Sequence, residues 1–146
     1  DICQDVCPVN RKAQKPRQPI QKTEAIRSTG SLDLSELLEL TEEEFRTRFR
    51  GTSIMRAKRV GLQKNACIAL GNNRDKAGVP ALISALNNPE PLVRGHAAWA
   101  LGKIATSDTF SVLEKACQSE TDPYVIEEIE GALKAAGGQG SENQTR

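Results

Sequence analysis

Aromatic residues are scarce in this 146-residue chain, at 3% of the total: three Phe, one Tyr and one Trp. Strands draw heavily on aromatic and β-branched residues, so the shortage argues against a sheet. The core must be assembled from Ala, Leu, Ile and Val, which suits close helix-on-helix contact. Net charge is nearly absent as well, with 20 basic against 19 acidic side chains. Affinity for a polyanion must therefore come from a local patch. No apolar run approaches the about 20 residues that a membrane span requires, and the first residues lack the charged-then-apolar layout of a signal peptide. A soluble, cytoplasmic monomer without a membrane partner is the expectation. There is one histidine, His96. No nucleophile–base pair, phosphate-cradling glycine loop or purposeful carboxylate pair occurs, so the chain by itself presents no active site.

What is present is a repeat. Arg94 to Ile104 reads RGHAAWALGKI, and thirty-one residues earlier Asn65 to Gly71 reads NACIALG. Ala66, Ala69, Leu70 and Gly71 thus fall on Ala97, Ala100, Leu101 and Gly102. Leu82 falls on Leu113, Pro91-Leu92-Val93 is answered by Pro123-Tyr124-Val125, and Gly131-Ala132-Leu133 closes a degenerate third copy. A period in the low thirties, built of two helical segments, belongs to stacked helix pairs, none of which can bury its apolar face alone. The fold class expected is all-α, a HEAT-like solenoid.

Local signals divide the chain further. Asp33 can cap a short helix through Leu40, with Leu34, Leu37 and Leu38 on one side. Thr41-Glu42-Glu43-Glu44 has the form of a capping box, after which Phe45 and Phe49 face the core and Gly51 ends the helix. A long helix is expected from about Ile54 to Gly71. Asp75 should begin the next, with Val79, Leu82, Ile83 and Leu86 buried and Pro80 tolerated near the first turn. Pro91 restarts the chain into the helix of Arg94 and Trp99. Asp108 is expected to cap the following helix, with Phe110, Leu113 and Cys117 inward. Asp122-Pro123 is a cap followed by proline at the first helical position, and that helix should stop near Ala136 at Gly137-Gly138. Trp99 is expected in the core, Cys67 and Cys117 as buried small hydrophobes, and His96 either as filler or as a phosphate contact beside Arg94.

Two features carry chemistry. The first is Cys3-x3-Cys7-Pro8 in DICQDVCPVN. It matches the last two cysteines of the ferredoxin run C-x2-C-x2-C-x3-C-P, whose fourth cysteine ligates the other cluster when two are present. Two thiolates cannot hold a four-iron cluster, so the remaining ligands would lie upstream of Asp1, and the chain reads as a segment of a longer protein. A pair of exposed thiols or a local disulfide is the other reading. The distance to His96 disfavours a zinc site. The second feature is Phe45 to Lys64, with no acidic residue and seven basic ones: Arg46, Arg48, Arg50, Arg56, Lys58, Arg59 and Lys64. Such a block suits phosphate, with Arg56, Lys58 and Arg59 foremost because they open a long helix beside a glycine turn. Its alternative is a solvated face neutralised by Glu42 to Glu44 or by Glu127, Glu128 and Glu130.

Together, DICQDVCPVNRK, LTEEEFRTRFRGTSIMRAKRVGLQKNACIALGN and PEPLVRGHAAWALGKI resemble the C-terminal part of the epoxyqueuosine reductases, cobalamin-dependent iron-sulfur enzymes that finish queuosine in tRNA. The resemblance runs from Cys3 to about Leu133. It implies a three-part enzyme: a cobalamin-binding catalytic domain, a ferredoxin-like part with two 4Fe-4S clusters, and a HEAT-like domain that holds the tRNA anticodon stem-loop. By that resemblance Cys3 ligates one cluster, Cys7 the other, and the basic stretch grips RNA, while clusters feed electrons to cobalamin, which removes the epoxide oxygen. Val9 departs from the Trp associated with the place after Cys-Pro, and Ser53 stands where Pro is common. The organisation expected is residues 1–10 ending the cluster segment, 11–31 a linker rich in Pro, Gln and basic residues, 32–136 the HEAT-like domain, and 137–146 a disordered tail. A stand-alone HEAT-repeat module for a protein partner is the competing function.

Overall fold

The computed structural model describes residues 33–138, with side chains to residue 135. The expected cluster-ligating segment, the linker and residues 139–146 lie outside them. Among the described residues the regular elements are all helical, without a strand. They are α1 (Leu34–Glu39), α2 (Glu42–Phe49), a 3-10 turn (Ser53–Ala57), α3 (Lys58–Asn73), a second 3-10 turn (Lys76–Gly78), α4 (Val79–Ala85), α5 (Pro91–Ile104), α6 (Ser107–Ser119) and α7 (Pro123–Gly138). Within them, no helix is long and apolar enough to cross a membrane.

Helix α5 is the centre. It packs between α3 and α7, with α4 and α6 laid against it and α1 resting on α3 and α4. The repeat explains why. Ala97, Ala98, Ala100 and Leu101 are fully buried, and Ala66 and Leu70 of the preceding copy nearly so. Leu82 and Leu113, equivalent in the repeat, are both at 0% exposure. Small residues on α5 let its neighbours approach on both sides. A Cβ placed on Gly71 would stand 2.9 Å from the Ala100 Cα, and one on Gly102 would stand 2.8 Å from the Ala132 Cα. The same glycine-to-alanine contact thus joins copy one to copy two and copy two to copy three. Ala-Leu-Gly recurs because each copy meets the next along it.

The helix starts follow local chemistry. Asp33 Oδ1 accepts from the Ser35 amide, and Thr41 with Glu44 forms the reciprocal capping box. Asp122 Oδ1 accepts from the Tyr124 and Val125 amides, with Pro123 opening α7. Phe45 and Phe49 are buried, their centroids 5.4 Å apart.

Several expectations are corrected. The cap of α6 is Thr106, paired with Thr109 in its own capping box, and Asp108 lies inside the first turn. The helix expected from Ile54 is interrupted: a 3-10 turn runs to Ala57, and Lys58, the first residue of α3, takes φ 58°. In the seven-residue α4 the buried residues are Ala81, Leu82 and Ala85, while Val79, Ile83 and Leu86 are only half-buried. A helix this short docks on α5 through its small residues. Phe110 and Cys117 are likewise half-buried, because α6 is covered on one flank, by α5 and α7. Helix α7 runs through both glycines to Gly138 rather than stopping near Ala136.

Candidate nucleic-acid interface

The seven basic residues do not share one environment. Three are held by carboxylates. Arg46 Nε donates to Glu42 Oε1 at 3.0 Å along the first turns of α2, and Arg48 Nη1 reaches Glu36 Oε2 of α1 at 3.5 Å. Arg59 Nε donates to Glu42 Oε2 at 3.3 Å and its Nη1 to Gln63 Oε1 at 2.9 Å. The Arg59 side chain is only 16% exposed. Its expected place among the foremost outward charges is therefore corrected: it is tied into the packing between α2 and α3. Arg50, Arg56, Lys58 and Lys64 have no carboxylate at ion-pair distance among the described residues, and the first three are exposed. All three lie between the end of α2 and the first residue of α3.

That segment is built to project charge. Helix α2 ends at Phe49, whose carbonyl accepts from the Thr52 amide and hydroxyl, and Gly51 takes φ 76° between them. Below it an open groove of about 600 Å³ is lined by Arg46, Thr47, Arg50 and Met55. Met55 is 37% exposed, an apolar side chain standing among cations. The start of α3 has no acidic residue in its first turn and no side-chain cap, so cations sit at the positive end of the helix dipole. The dipole disfavours cations there, and an anion bound beside them would offset that repulsion. Glu42 supplies part of that charge from α2.

Sequence reasoning missed Gln63. It is 1% exposed, and its Nε2 donates to the Leu38 and Leu40 carbonyls at 2.8 and 3.3 Å, satisfying the end of α1. Its Oε1 accepts from Arg59 and, at 3.5 Å, from Asn88 Nδ2. Nothing in the local sequence marks this glutamine as buried.

Arg94 has a structural task. Its Nε and Nη2 grip Glu120 at 2.7 and 3.0 Å, and its Nη1 donates to the Asn88 and Pro89 carbonyls. Glu120 also accepts from the Thr121 and Asp122 amides. The guanidinium beside it, helped by those amides against the opposing effect of burial, holds the Glu120 carboxyl down at about 2. Arg94 is thus committed to joining two interhelical loops. His96 turns aside to the Leu92 carbonyl and the Tyr124 hydroxyl, with Nδ1 at 2.9 and 3.2 Å.

Trp99, expected in the core, is half-buried. It walls a depression of about 330 Å³ shared with Ile68, Asn72, His96 and Glu128, and Lys103 Nζ stands 5.6 Å from its ring centroid. Ala and Gly on the flanking helices leave no bulk to cover it. Leu92, one helical turn before His96, is 42% exposed. No group of three or more metal-ligating side chains occurs among the described residues, and Cys3 and Cys7 lie outside them.

Comparison with known proteins accords with this geometry. Residues 52–134 match the family model of HEAT repeats. The epoxyqueuosine reductase of Listeria monocytogenes is 35% identical, the alignment covering 88% of this chain and 34% of that protein. That of Bacillus subtilis is 33% identical over 94% of this chain and 36% of its own length. Among solved structures, a crystal structure of epoxyqueuosine reductase with an epoxyqueuosine-modified tRNA-Tyr stem loop superposes with TM-score 0.76 at 32% identity, over 92% of this chain and 36% of that one. The chain spans about a third of the length of these relatives. It belongs to the HEAT-repeat family, and over most of its length it is homologous to part of the epoxyqueuosine reductases.

Proposed function

We propose that this chain is the tRNA-docking portion of an epoxyqueuosine reductase, which reduces epoxyqueuosine to queuosine in the anticodon loop, and that it works in the cytoplasm as a monomer. The observation that carries the reading is the exposed trio Arg50, Arg56 and Lys58, without carboxylate partners among the described residues, in a chain whose structural relative is a reductase with a tRNA stem loop. Phosphate contacts of this kind orient RNA without reading its bases. The reacting base would be handled by the part of the enzyme that binds cobalamin, which this chain does not supply. Cys3 and Cys7 would each give a thiolate to one 4Fe-4S cluster, thiolate being the donor that such clusters take; the other ligands must come from elsewhere.

The test is a fluorescence-anisotropy titration of the chain with a labelled anticodon stem-loop at several salt concentrations. Saturable binding that weakens steeply with salt is expected. Reversing Arg50, Arg56 and Lys58 to Glu should weaken it and lower the salt slope by about one counterion per lost phosphate contact. An unchanged slope would overturn the assignment of these residues, and no binding at low salt would overturn the docking role.

A second reading, a HEAT-repeat module for a protein partner, is favoured by the Trp99 depression and by the exposed Leu92 one helical turn before His96, since accessible aromatic and aliphatic groups suit protein recognition. Failure of RNA binding together with loss of partner capture in Trp99→Ala would establish it.

A further inference from the structure

The carboxylate of Glu42 occupies the place of an anion. Its two oxygens receive two arginines from different elements: Oε1 the Nε of Arg46 at 3.0 Å, and Oε2 the Nε of Arg59 at 3.3 Å. The two are not held alike. Arg59 is additionally bonded to the buried Gln63 and is 16% exposed, so it stays if Glu42 lets go. Arg46 has Glu42 as its one carboxylate partner among the described residues, is 70% exposed, and lines the groove with Arg50, Thr47 and Met55. In that groove Arg50 is without a carboxylate partner among the described residues, whereas Arg46 is already neutralised.

Resting on the docking role above, we propose that Glu42 is a built-in counter-ion that an RNA phosphate displaces from Arg46. The groove of Arg46, Thr47, Arg50 and Met55 is then the subsite: two guanidiniums and a hydroxyl for a phosphodiester, and the Met55 thioether for the apolar face of the adjoining sugar. An exposed carboxylate–arginine pair is worth little in water, so a phosphodiester, with one charge shared by two non-bridging oxygens and further phosphates of the same backbone bound nearby, can replace it. Its effect is on selectivity. A weak or short polyanion meets one free arginine, and only a ligand anchored through several phosphates gains by taking the second. Arg59, tethered by Gln63, keeps α2 in register with α3 while Glu42 exchanges.

The experiment compares the anticodon stem-loop affinity and salt slope of wild type, Glu42→Gln, Glu43→Gln and Glu42→Gln with Arg46→Gln. Glu43 is exposed in the same helical turn and has no ion-pair partner among the described residues, so its variant removes the same charge without releasing an arginine. Glu42→Gln should bind about two- to fivefold tighter, the range set by one exposed ion pair. Its salt slope should be steeper by about one counterion. The added Arg46→Gln should cancel both gains, and Glu43→Gln should show less of either. Equal gains from Glu42→Gln and Glu43→Gln would reduce the effect to net charge and overturn the counter-ion role. An unchanged slope in Glu42→Gln would also overturn it while leaving the docking role standing. Wild type that binds no RNA would overturn both, and circular dichroism of each variant guards against unfolding.

Discussion

Gly102 lies against Ala132 so closely that a Cβ on the glycine would meet the Ala132 Cβ at 2.6 Å and its Cα at 2.8 Å. The contact is between α5 and α7 and has backbone on the far side, so it cannot be relieved by swinging a side chain. Gly102→Ala should therefore destabilise the fold by about 1–3 kcal/mol, and Gly71→Ala, which would press on Ala100 in the same way, should behave alike. Urea unfolding of the variants checks this. Gly131→Ala is the control, since a Cβ there meets nothing within 4 Å, and alanine has the higher helix propensity.

Acid should act through Glu120. Its carboxyl is held at about 2 in the fold against 4.5 ordinarily, by Arg94 first of all. The folded value is the lower one, so the unfolded chain binds the proton more readily. The stabilisation is complete above about 4.5 and is lost as pH falls toward about 2. Glu120→Gln should lose about 1–3 kcal/mol at neutral pH, because it leaves the part-buried Arg94 guanidinium without its charge partner. It should also flatten the decline in stability between those pH values. A pH series of thermal or urea midpoints measures both, and an equally steep decline in the variant would sink the assignment.

Gln63 is predicted to stabilise the fold through its hydrogen bonds. Gln63→Leu keeps the bulk but removes the donor to the Leu38 and Leu40 carbonyls and the acceptor of Arg59. A cost of about 1–3 kcal/mol is expected from the unsatisfied groups. Hydrogen exchange should locate it, with α1 and α2 amides opening faster and α7 unaffected.

Cys67 should be chemically silent. Its thiol is fully buried, and burial pushes it up to about 12, so almost no thiolate exists near pH 8. Alkylation followed by site-resolved mass spectrometry should label the half-buried Cys117 in the folded chain and Cys67 only in denaturant. Labelling of Cys67 at the same rate as Cys117 would contradict the packing of α3 against α5.

The particular residues show how much was legible beforehand. The Thr41–Glu44 box and the Asp122-Pro123 start join groups two or three residues apart, so the sequence states both partners within one window. The repeat of Ala-Leu-Gly is likewise explicit, because stacking of like helices asks for the same small residues at the same interval. Asp108 misled, because Thr106 offered an equally good cap two residues earlier and reciprocated with Thr109.

The sequence by itself determined a helical repeat, its period, most helix starts and the presence of an unbalanced basic block. Only the tertiary structure decided which of those cations are spent. Arg48 finds Glu36 twelve residues away, Arg59 finds Glu42 seventeen away, and Gln63 reaches Leu38 across twenty-five. Such partners are set by how α1, α2 and α3 pack on one another, which no local window contains. The half-exposure of Trp99 has the same origin. Its ring stands in an apolar stripe that reads as core, but the helices that flank it present Gly and Ala where a larger side chain would have covered it.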